Sequence, residues 1–451
     1  MSAVIDAVGP LPARLPLLLE ASASRPLAWR GRHAIDVADF LGDVATISAQ
    51  LPERSHAINL CADRYAFLAA FCAIACRGQI NLLPAARTPR TIAETLAAHP
   101  GSYSLGERGS GADCELPILG AQRKATVPLL DASQTVAIGF TSGSTGQPKA
   151  NHKRWGLLRI GEAHNIAALV CALRLRPGTI ANIVATVPPQ HMYGLELSIL
   201  LPLFGPFAVH AAHPLFPADV AAALAEVPEP RVLVTTPVHL RALLASDQHL
   251  PALGAIVCAT APLDEDLAAQ AELRLGAPLL ELFGSTETCV IARRRTAHED
   301  HWQLYEGACL RPQPDGALVE APWLQAPVAL QDLVELCRDN GFRLCGRHAD
   351  LIEIAGKRAS LADLTRRVLA LPGVEDAALL QLDRPDSMGV QRIAALVVAP
   401  TRSQSDLLDA LRKVIDPVFL PRPLQMVEAL PRNSTGKLPR AALLARLEER
   451  R

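Results

Sequence analysis

No block of basic residues runs through this chain. Lys and Arg number 44 against 45 Asp and Glu, which leaves a formal net charge of −1 over 451 residues. A surface that tracks a nucleic-acid backbone needs clustered positive charge, so that class of partner is excluded. The ten cysteines contain no C-x-x-C pair. Their scatter argues against a disulfide scaffold and fits a reducing cytosol, the compartment expected for the chain. Cys72 and Cys76, four apart in an apolar helical run, are expected to be buried thiols. Long apolar runs are missing too. Ala66 to Cys76 is too short to span a bilayer, and Leu197 to Ala212 is broken by Pro202, Gly205 and Pro206. Leu15 to Leu19 is closed at once by Glu20 and is too short for a signal-peptide core. What is present is a chain 50% hydrophobic and 20% charged. That composition is globular, and the length suits two or three domains.

The stretch A-I-G-F-T-S-G-S-T-G-Q-P-K, Ala137 to Lys149, stands out. An apolar run, Thr135 to Phe140, reads as a buried strand. It gives way to six residues, Thr141, Ser142, Gly143, Ser144, Thr145 and Gly146, all glycine or hydroxylated. Backbone N–H groups, hydroxyls and the ammonium of Lys149 form the donor set a polyphosphate needs. The stretch is not a Walker A motif, because Pro148 separates Gln147 from Lys149 and no Lys-Ser/Thr pair follows a glycine. A flexible Gly/Ser linker would have a similar composition, but linkers do not run straight out of an apolar strand.

Around this stretch the chain alternates strands and helices. Val37–Leu51 and Arg64–Cys76 have helical apolar spacing, while Ala57–Cys61 and Gln79–Leu83 read as strands. That rhythm predicts a parallel sheet with crossover helices. Residues 1–134 show no acid, base or metal cluster and read as scaffold. Trp155–Leu173 reads as a helix and Ile180–Val187 as a strand, after which His191, Met192 and Tyr193 fall on a turn. Ligands of open α/β sheets bind just past strand carboxyl ends, so His191 is a candidate site residue; a core histidine is the competing reading. Arg231–Thr236 and Ala255–Ala259 are further buried strands, the second leading into the small-residue turn Thr260-Ala261-Pro262. In L-L-E-L-F-G-S-T-E-T, Gly284 permits a tight turn, Thr286 offers a hydroxyl to a phosphate and Glu287 can hold a hard cation. His298 and His301 lie in a polar stretch without a third suitably spaced ligand, so no metal is expected there. From Leu361 onward the pattern reads helix, strand, strand, helix and short strand.

Five segments in this order resemble the motifs of the adenylate-forming enzymes: acyl- and aryl-CoA synthetases, peptide-synthetase adenylation domains and luciferases. They are T-S-G-S-T-G-Q-P-K; F-G-S-T-E; Gln331-Asp332-Leu333-Val334; Gly346-Arg347-His348-Ala349-Asp350; and L-P-R-N-S-T-G-K, which ends on Lys437. The resemblance covers roughly residues 130–445. It implies an α/β fold: a large N-terminal domain of layered sheets and helices (1–346) and a small mobile α+β C-terminal domain (347–451). It implies that the glycine- and hydroxyl-rich loop binds the phosphates of ATP and that Glu287 holds Mg²⁺. Ala261, Phe283 and Gly284 would line the adenine site, Asp332 and Arg347 would touch the ribose, and Thr286, His191 and Lys437 would act on the carboxylate and α-phosphate. Phe283 stands where the family usually has tyrosine, and Ala349 where it usually has the Asp or Lys of the hinge. The implied reaction activates an aryl or medium-chain carboxylic acid as an acyl-adenylate and then transfers it to a pantetheine thiol, that of CoA or of an acyl carrier protein. A non-catalytic relative, or one that adenylates without forming a thioester, is the alternative. The sequence leaves the acid and the acceptor open.

Overall fold

The computed structural model describes all residues except 1–10, 20, 85, 121–125, 143–147, 315, 348–350, 355–356, 383–390, 434–435 and 450–451. The chain divides into two compact units. One comprises Met1–Ala308 with Ala321–Ala326, the other Cys309–Glu320 with Pro327–Arg451. The second unit therefore takes in strands that precede the domain boundary expected at 346–347.

Besides the two-stranded pair Arg14–Pro16 with Leu129–Asp131, the first unit holds two larger sheets among its described residues. In one, the strands run in the order Pro148–Arg154, Thr135–Ser142, Ile80–Leu83, His56–Asn59, Ser102–Gly106 and Cys114–Glu115. All neighbours are parallel except the first pair, which is antiparallel with Lys149 opposite Thr141. The crossover helix Arg64–Cys76 starts where the Asp63 carboxylate accepts the N–H of Ala66, an N-cap that satisfies one of the orphan donors of the first turn. Its residues Arg64 to Ala75 are all buried, the fate of a helix that is apolar on every side.

The second sheet of this unit runs Trp302–Leu304, Cys289–Arg294, Leu279–Ser285, Ala255–Cys258, Arg231–Thr235, Ala181–Ala185, Phe207–His210, Pro26–Arg30 and His33–Asp36. The five strands from Leu279–Ser285 to Phe207–His210 are mutually parallel. Helices Pro217–Glu226, Pro237–Ala245 and Glu265–Leu275 cover it through Val220, Leu224, Leu240, Leu267 and Ala268, packed on Leu233 and Ile256. Each fully buried leucine contributes roughly 1.5–3 kcal/mol. The strand Ala181–Ala185 has the next strand in sequence, Phe207–His210, on one side and Arg231–Thr235 on the other. It is a topological switch point, where open sheets of this kind leave a crevice beyond the carboxyl ends.

The second unit carries a three-stranded antiparallel sheet (Cys309–Gln313, Gly316–Glu320, Val328–Leu330) and two hairpins, Asp332–Leu336 with Gly341–Arg347 and Leu351–Ile354 with Lys357–Ser360. A further sheet pairs Asp376–Gln381, Ile393–Val398 and Leu424–Met426. Its central strand, I-A-A-L-V-V, is apolar throughout because both faces are covered. Ile393, Ala395 and Val397 pack with Leu364, Leu407 and Leu411 of helices Leu361–Leu369 and Gln404–Val414. Ala394, Leu396 and Val398 pack with Leu443 and Leu447 of helix Arg440–Glu448. Among the described residues, no helix is long and apolar enough to cross a membrane.

Two local readings change. The strand expected to end at Phe140 continues to Ser142, so Thr141 and Ser142 lie on it, not in the loop. The turn expected at His191–Tyr193 becomes a helix from Met192 to Leu195, with only His191 extended ahead of it (φ −80°, ψ 146°).

Candidate active site

The crevice at the switch point is held from below by Arg64. Its guanidinium donates to the carbonyls of Ala185 and Val187 at 2.8 Å and to the Ser198 hydroxyl at 2.6 Å. The side chain is fully buried, and burial lowers its pKa to about 9. This fixes the end of the Ala181–Ala185 strand, from which Pro188-Pro189-Gln190-His191 departs. At Gly194 a Cβ would come within 2.0 Å of the Pro188 carbonyl, so the following helix can double back only on glycine. The Tyr193 hydroxyl lies 3.1 Å from the Thr235 carbonyl and 3.0 Å from that of Val257, tying this helix to two neighbouring strand ends.

Opposite His191 stand the phosphate-loop strand and the T-E segment. The Thr141 hydroxyl donates to Glu287 Oε1 at 3.0 Å, joining residues 146 apart in sequence. A Cβ on Gly139 would lie 2.7 Å from the Thr286 methyl, so this strand meets the T-E segment at a position that admits no side chain. Gly284 is similarly constrained, because a Cβ there would lie 2.2 Å from the Cys289 carbonyl. Lys153, on the partner strand, donates from Nζ to the Glu287 carbonyl at 3.1 Å and to Cys289 Sγ at 3.4 Å. Burial is the largest influence on the Glu287 carboxyl and pushes its pKa up. Its own N–H, the Ser285 and Thr141 hydroxyls and the Lys153 charge outweigh burial and leave it below the usual carboxylate value. An ionised carboxylate beside the Thr141 hydroxyl is a donor set that fits Mg²⁺. Lys149 is exposed. Gly143, Ser144, Thr145 and Gly146 lie outside the described residues.

A buried acidic network lies behind this segment. Glu196 Oε1 accepts the Val290 N–H at 3.0 Å, and the Asn165 amide donates to Glu162 Oε2 at 3.1 Å and to Glu196 Oε1 at 3.5 Å. The Tyr305 hydroxyl donates to Asn165 Oδ1 at 2.9 Å. Burial raises both glutamates, Glu196 to about 7; for Glu162 the nearby Glu196 charge acts in the same direction. These groups went unremarked in the sequence, since Glu162 reads as the polar face of an ordinary helix.

Phe283 sits on the strand Leu279–Ser285, its ring 5.3 Å from that of Trp302. Arg294 lies over Trp302 at 4.5 Å and pairs with Glu281 at 2.7 Å. A flat ligand laid on Phe283 would thus rest on a braced ring. Ala261 is half-buried and follows Thr260, whose φ of 83° is a left-handed conformation that a β-branched residue adopts only under strain. His298 and His301 are engaged with Glu272 (2.9 Å) and Asp300 (2.8 Å).

In the second unit, Asp332 and Arg347 are direct partners across their hairpin. Fourteen residues of sequence lie between the two expected ribose contacts, and the register puts them side by side. Lys437 is exposed on a tight loop. Its N–H donates to Asn433 Oδ1 and its carbonyl accepts the Asn433 N–H, both at 2.9 Å. Arg432 clamps the loop: it donates to the Gly436 carbonyl at 2.7 Å and reaches both carboxylate oxygens of Asp376 at 2.7 and 3.0 Å. Ala349 lies outside the described residues.

A small cavity of about 20 Å³ opens between these parts of the first unit. Gly139, Phe140, Gln190, His191 and Thr286 line it, with Leu83 and Met192. The structure thus brings together Thr141, His191, Phe283, Gly284, Thr286 and Glu287 around the strand ends of one unit, and Asp332 with Arg347 in the other.

The description "AMP-binding enzyme" matches residues 46–318, and "AMP-binding enzyme C-terminal domain" matches residues 367–437. A 4-coumarate–CoA ligase of Halorhodospira halophila is 31% identical over 328 residues, 69% of this chain and 77% of the relative. A second 4-coumarate–CoA ligase, from Cereibacter sphaeroides, is 28% identical over 304 residues, covering 66% and 69%. Among solved structures, o-succinylbenzoate CoA synthetase from Bacillus subtilis, in complex with the acyl-adenylate intermediate, superposes with a TM-score of 0.79 at 16% identity, over 95% of this chain and 98% of that one. The chain belongs to the AMP-binding enzyme family and is an AMP-forming acid–thiol ligase of the adenylate-forming superfamily.

Proposed function

We propose that the protein activates an aromatic carboxylic acid with ATP and passes the acyl group to the thiol of CoA. The observation that carries this reading is the Thr141–Glu287 hydrogen bond, which sets an ionised carboxylate against the phosphate-loop strand beside the cavity of His191 and Thr286. In the first half-reaction a carboxylate oxygen of the acid attacks the α-phosphorus of ATP. The new O–P bond forms as the bond to the β-phosphate breaks, and pyrophosphate leaves with the electron pair. Thr141, Ser142, Gly143, Ser144, Thr145, Gly146 and Lys149 would hold the phosphates. Phe283, Gly284 and Ala261 would receive the adenine, and Asp332 and Arg347 the ribose. Glu287 would hold Mg²⁺, which when bound offsets charge on the departing phosphates. Thr286, His191 and Lys437 would face the carboxylate and α-phosphate, where donors fixed in advance lower the barrier. The domains proposed are 1–346 and 347–451, joined by a hinge in the stretch 346–352 whose pivot would be Ala349.

The names of the two curated relatives favour a hydroxycinnamate-like acid and CoA. An acyl carrier protein is the other thiol acceptor. The test is acid-dependent ATP–pyrophosphate exchange across a panel that includes 4-coumarate, benzoate, octanoate and malonate, with CoA and carrier protein then offered separately. Exchange with aryl acids and thioester formation on CoA is the expected outcome. Nucleotide binding without exchange for any acid would make the protein a non-catalytic relative.

A further inference from the structure

Lys153 takes no part in the chemistry proposed so far. It is nevertheless 7% exposed, and a lysine is rarely buried unless its ammonium is engaged. It lies on the strand Pro148–Arg154, two residues past Asn151, so both side chains point to one face. That face backs the Thr141–Glu287 contact at both ends. The Asn151 amide lies 3.5 Å from the Thr141 hydroxyl and donates to the Gly139 carbonyl at 3.3 Å. Lys153 Nζ donates to the Glu287 carbonyl at 3.1 Å and to Cys289 Sγ at 3.4 Å. Two other buried side chains hold the same segment. Trp323 Nε1 donates to the Thr288 carbonyl at 3.2 Å, and Glu196 Oε1 accepts the Val290 N–H at 3.0 Å. Between these anchors Cys289 has a φ of 59°, a left-handed conformation that a residue other than glycine keeps only where its surroundings impose it. Glu287 thus sits on backbone that is bent against its preference and held there from behind.

We propose that Lys153 is a positioning residue for Mg²⁺: by holding the Glu287 carbonyl, with Trp323 holding the next one, it fixes the direction in which the Glu287 carboxylate meets the cation of MgATP. The proposal rests on the acid-activating reading above and on Glu287 as the metal ligand. Partners one step out from a ligand orient it and so set the affinity for the metal. The charge of Lys153 works in the opposite sense, because an ammonium repels Mg²⁺. If Lys153 acted through charge alone, its loss would tighten cation binding. If it acts by holding the backbone, its loss loosens cation binding. The sign of the effect separates the two roles. A general packing defect is separated by its reach, since it would weaken the binding of the acid and of the bare nucleotide as well. A positioning effect passes through the Glu287 carboxylate and vanishes once that carboxylate is gone.

The test uses purified full-length variants and α,β-methylene-ATP, an analogue that cannot release pyrophosphate. Its affinity is measured by calorimetry with and without Mg²⁺, in the absence of acid. Lys153→Met keeps most of the bulk and removes the donor. The gain in affinity that Mg²⁺ brings is expected to fall by about tenfold, the low end of what losing an outer partner of a metal ligand costs, while affinity without Mg²⁺ stays within about threefold of wild type. In pyrophosphate exchange with the best acid of the panel, the Mg²⁺ needed for half-maximal rate should rise by about tenfold and the KM of the acid should change by less than about threefold. In a Glu287→Gln background the same substitution should alter the Mg²⁺ gain by less than about twofold, because residues that act through one another are not additive. Trp323→Phe removes the neighbouring donor and should shift the Mg²⁺ gain in the same direction, which keeps the proposal open to test if the Met variant does not fold. A Mg²⁺ gain that is unchanged or larger in the folded Met variant, or failing that in Trp323→Phe, would overturn the proposal. So would an equal loss in the Glu287→Gln background. Either result leaves the ligase reading intact. A wild-type protein that binds the analogue no better with Mg²⁺ and shows no exchange for any acid would overturn both.

Discussion

Glu287 joins two strands of the site, through Thr141 on its carboxylate and Lys153 on its backbone carbonyl. Replacing it with glutamine keeps the shape and removes the charge. Glu287→Gln is expected to raise the Mg²⁺ concentration needed for half-maximal exchange by about tenfold or more, since a charged oxygen ligand is lost. An unchanged Mg²⁺ titration would remove Glu287 from the metal site. Lys437→Ala tests the other cation. One preorganised charge contact is worth roughly 3–4 kcal/mol in a transition state, so acid-dependent exchange should fall by two orders of magnitude or more. Wild-type exchange in that variant would sink the assignment. Thr141, Thr286, Glu287 and Lys437 are legible in the sequence because each sits at a fixed place in an ordered motif. Arg64 and Lys153 are not. A lone arginine at the start of an apolar helix, or a lysine in P-K-A-N-H-K-R, carries no sign of burial until the fold closes over it.

The helix Trp155–Ala172 and the helical segment Glu196–Leu200 join in the acidic pair Glu162 and Glu196. Glu196 ionises near 4.5 in an unfolded chain and near 7 here, because burial disfavours its charge. Between those values the folded protein holds more protons than the unfolded one. The stabilisation is therefore full below about pH 4.5 and is lost as pH rises toward about 7. Urea unfolding at pH 5 and pH 8 should show a smaller drop in stability for Glu196→Gln than for wild type; equal drops would mean that this carboxyl does not titrate as stated. Arg64→Leu addresses the switch point. It strands the carbonyls of Ala185 and Val187, while Ser198 keeps its bond to the Gly194 carbonyl; each stranded carbonyl costs about 1–3 kcal/mol when buried unpaired, so a loss of at least about 2 kcal/mol is expected in the same assay. Apolar elements such as Arg64–Cys76 and Ile393–Val398 were readable from their residues alone. The strand Pro148–Arg154 was not, because its polar sequence is held by backbone pairing with Thr135–Ser142, and pairing leaves no periodic trace in a sequence of this kind.

At the scale of the whole molecule the proposed cycle needs two arrangements of its domains, one for each half-reaction. Ala349 stands where the family resemblance puts the pivot. Ala349→Pro would fix φ near −65° and restrict His348 as well. Exchange is expected to stay within about tenfold of wild type while most thioester formation is lost. Equal losses in both would indicate a folding defect or a different pivot, and no loss in either would mean that rotation here is not part of the cycle. The second unit also holds the hairpin that sets Asp332 against Arg347, closed by Arg338–Gly341 with Asp339 and Asn340 at φ of 61° and 58°. Side chains alternate along a strand, so sliding one strand past the other by a single step sends the two to opposite faces. One residue inserted in that turn would do this without altering either letter. A descendant of this protein could therefore lose the pair while an alignment still scored both positions as intact, and only the count of residues between them would betray the loss.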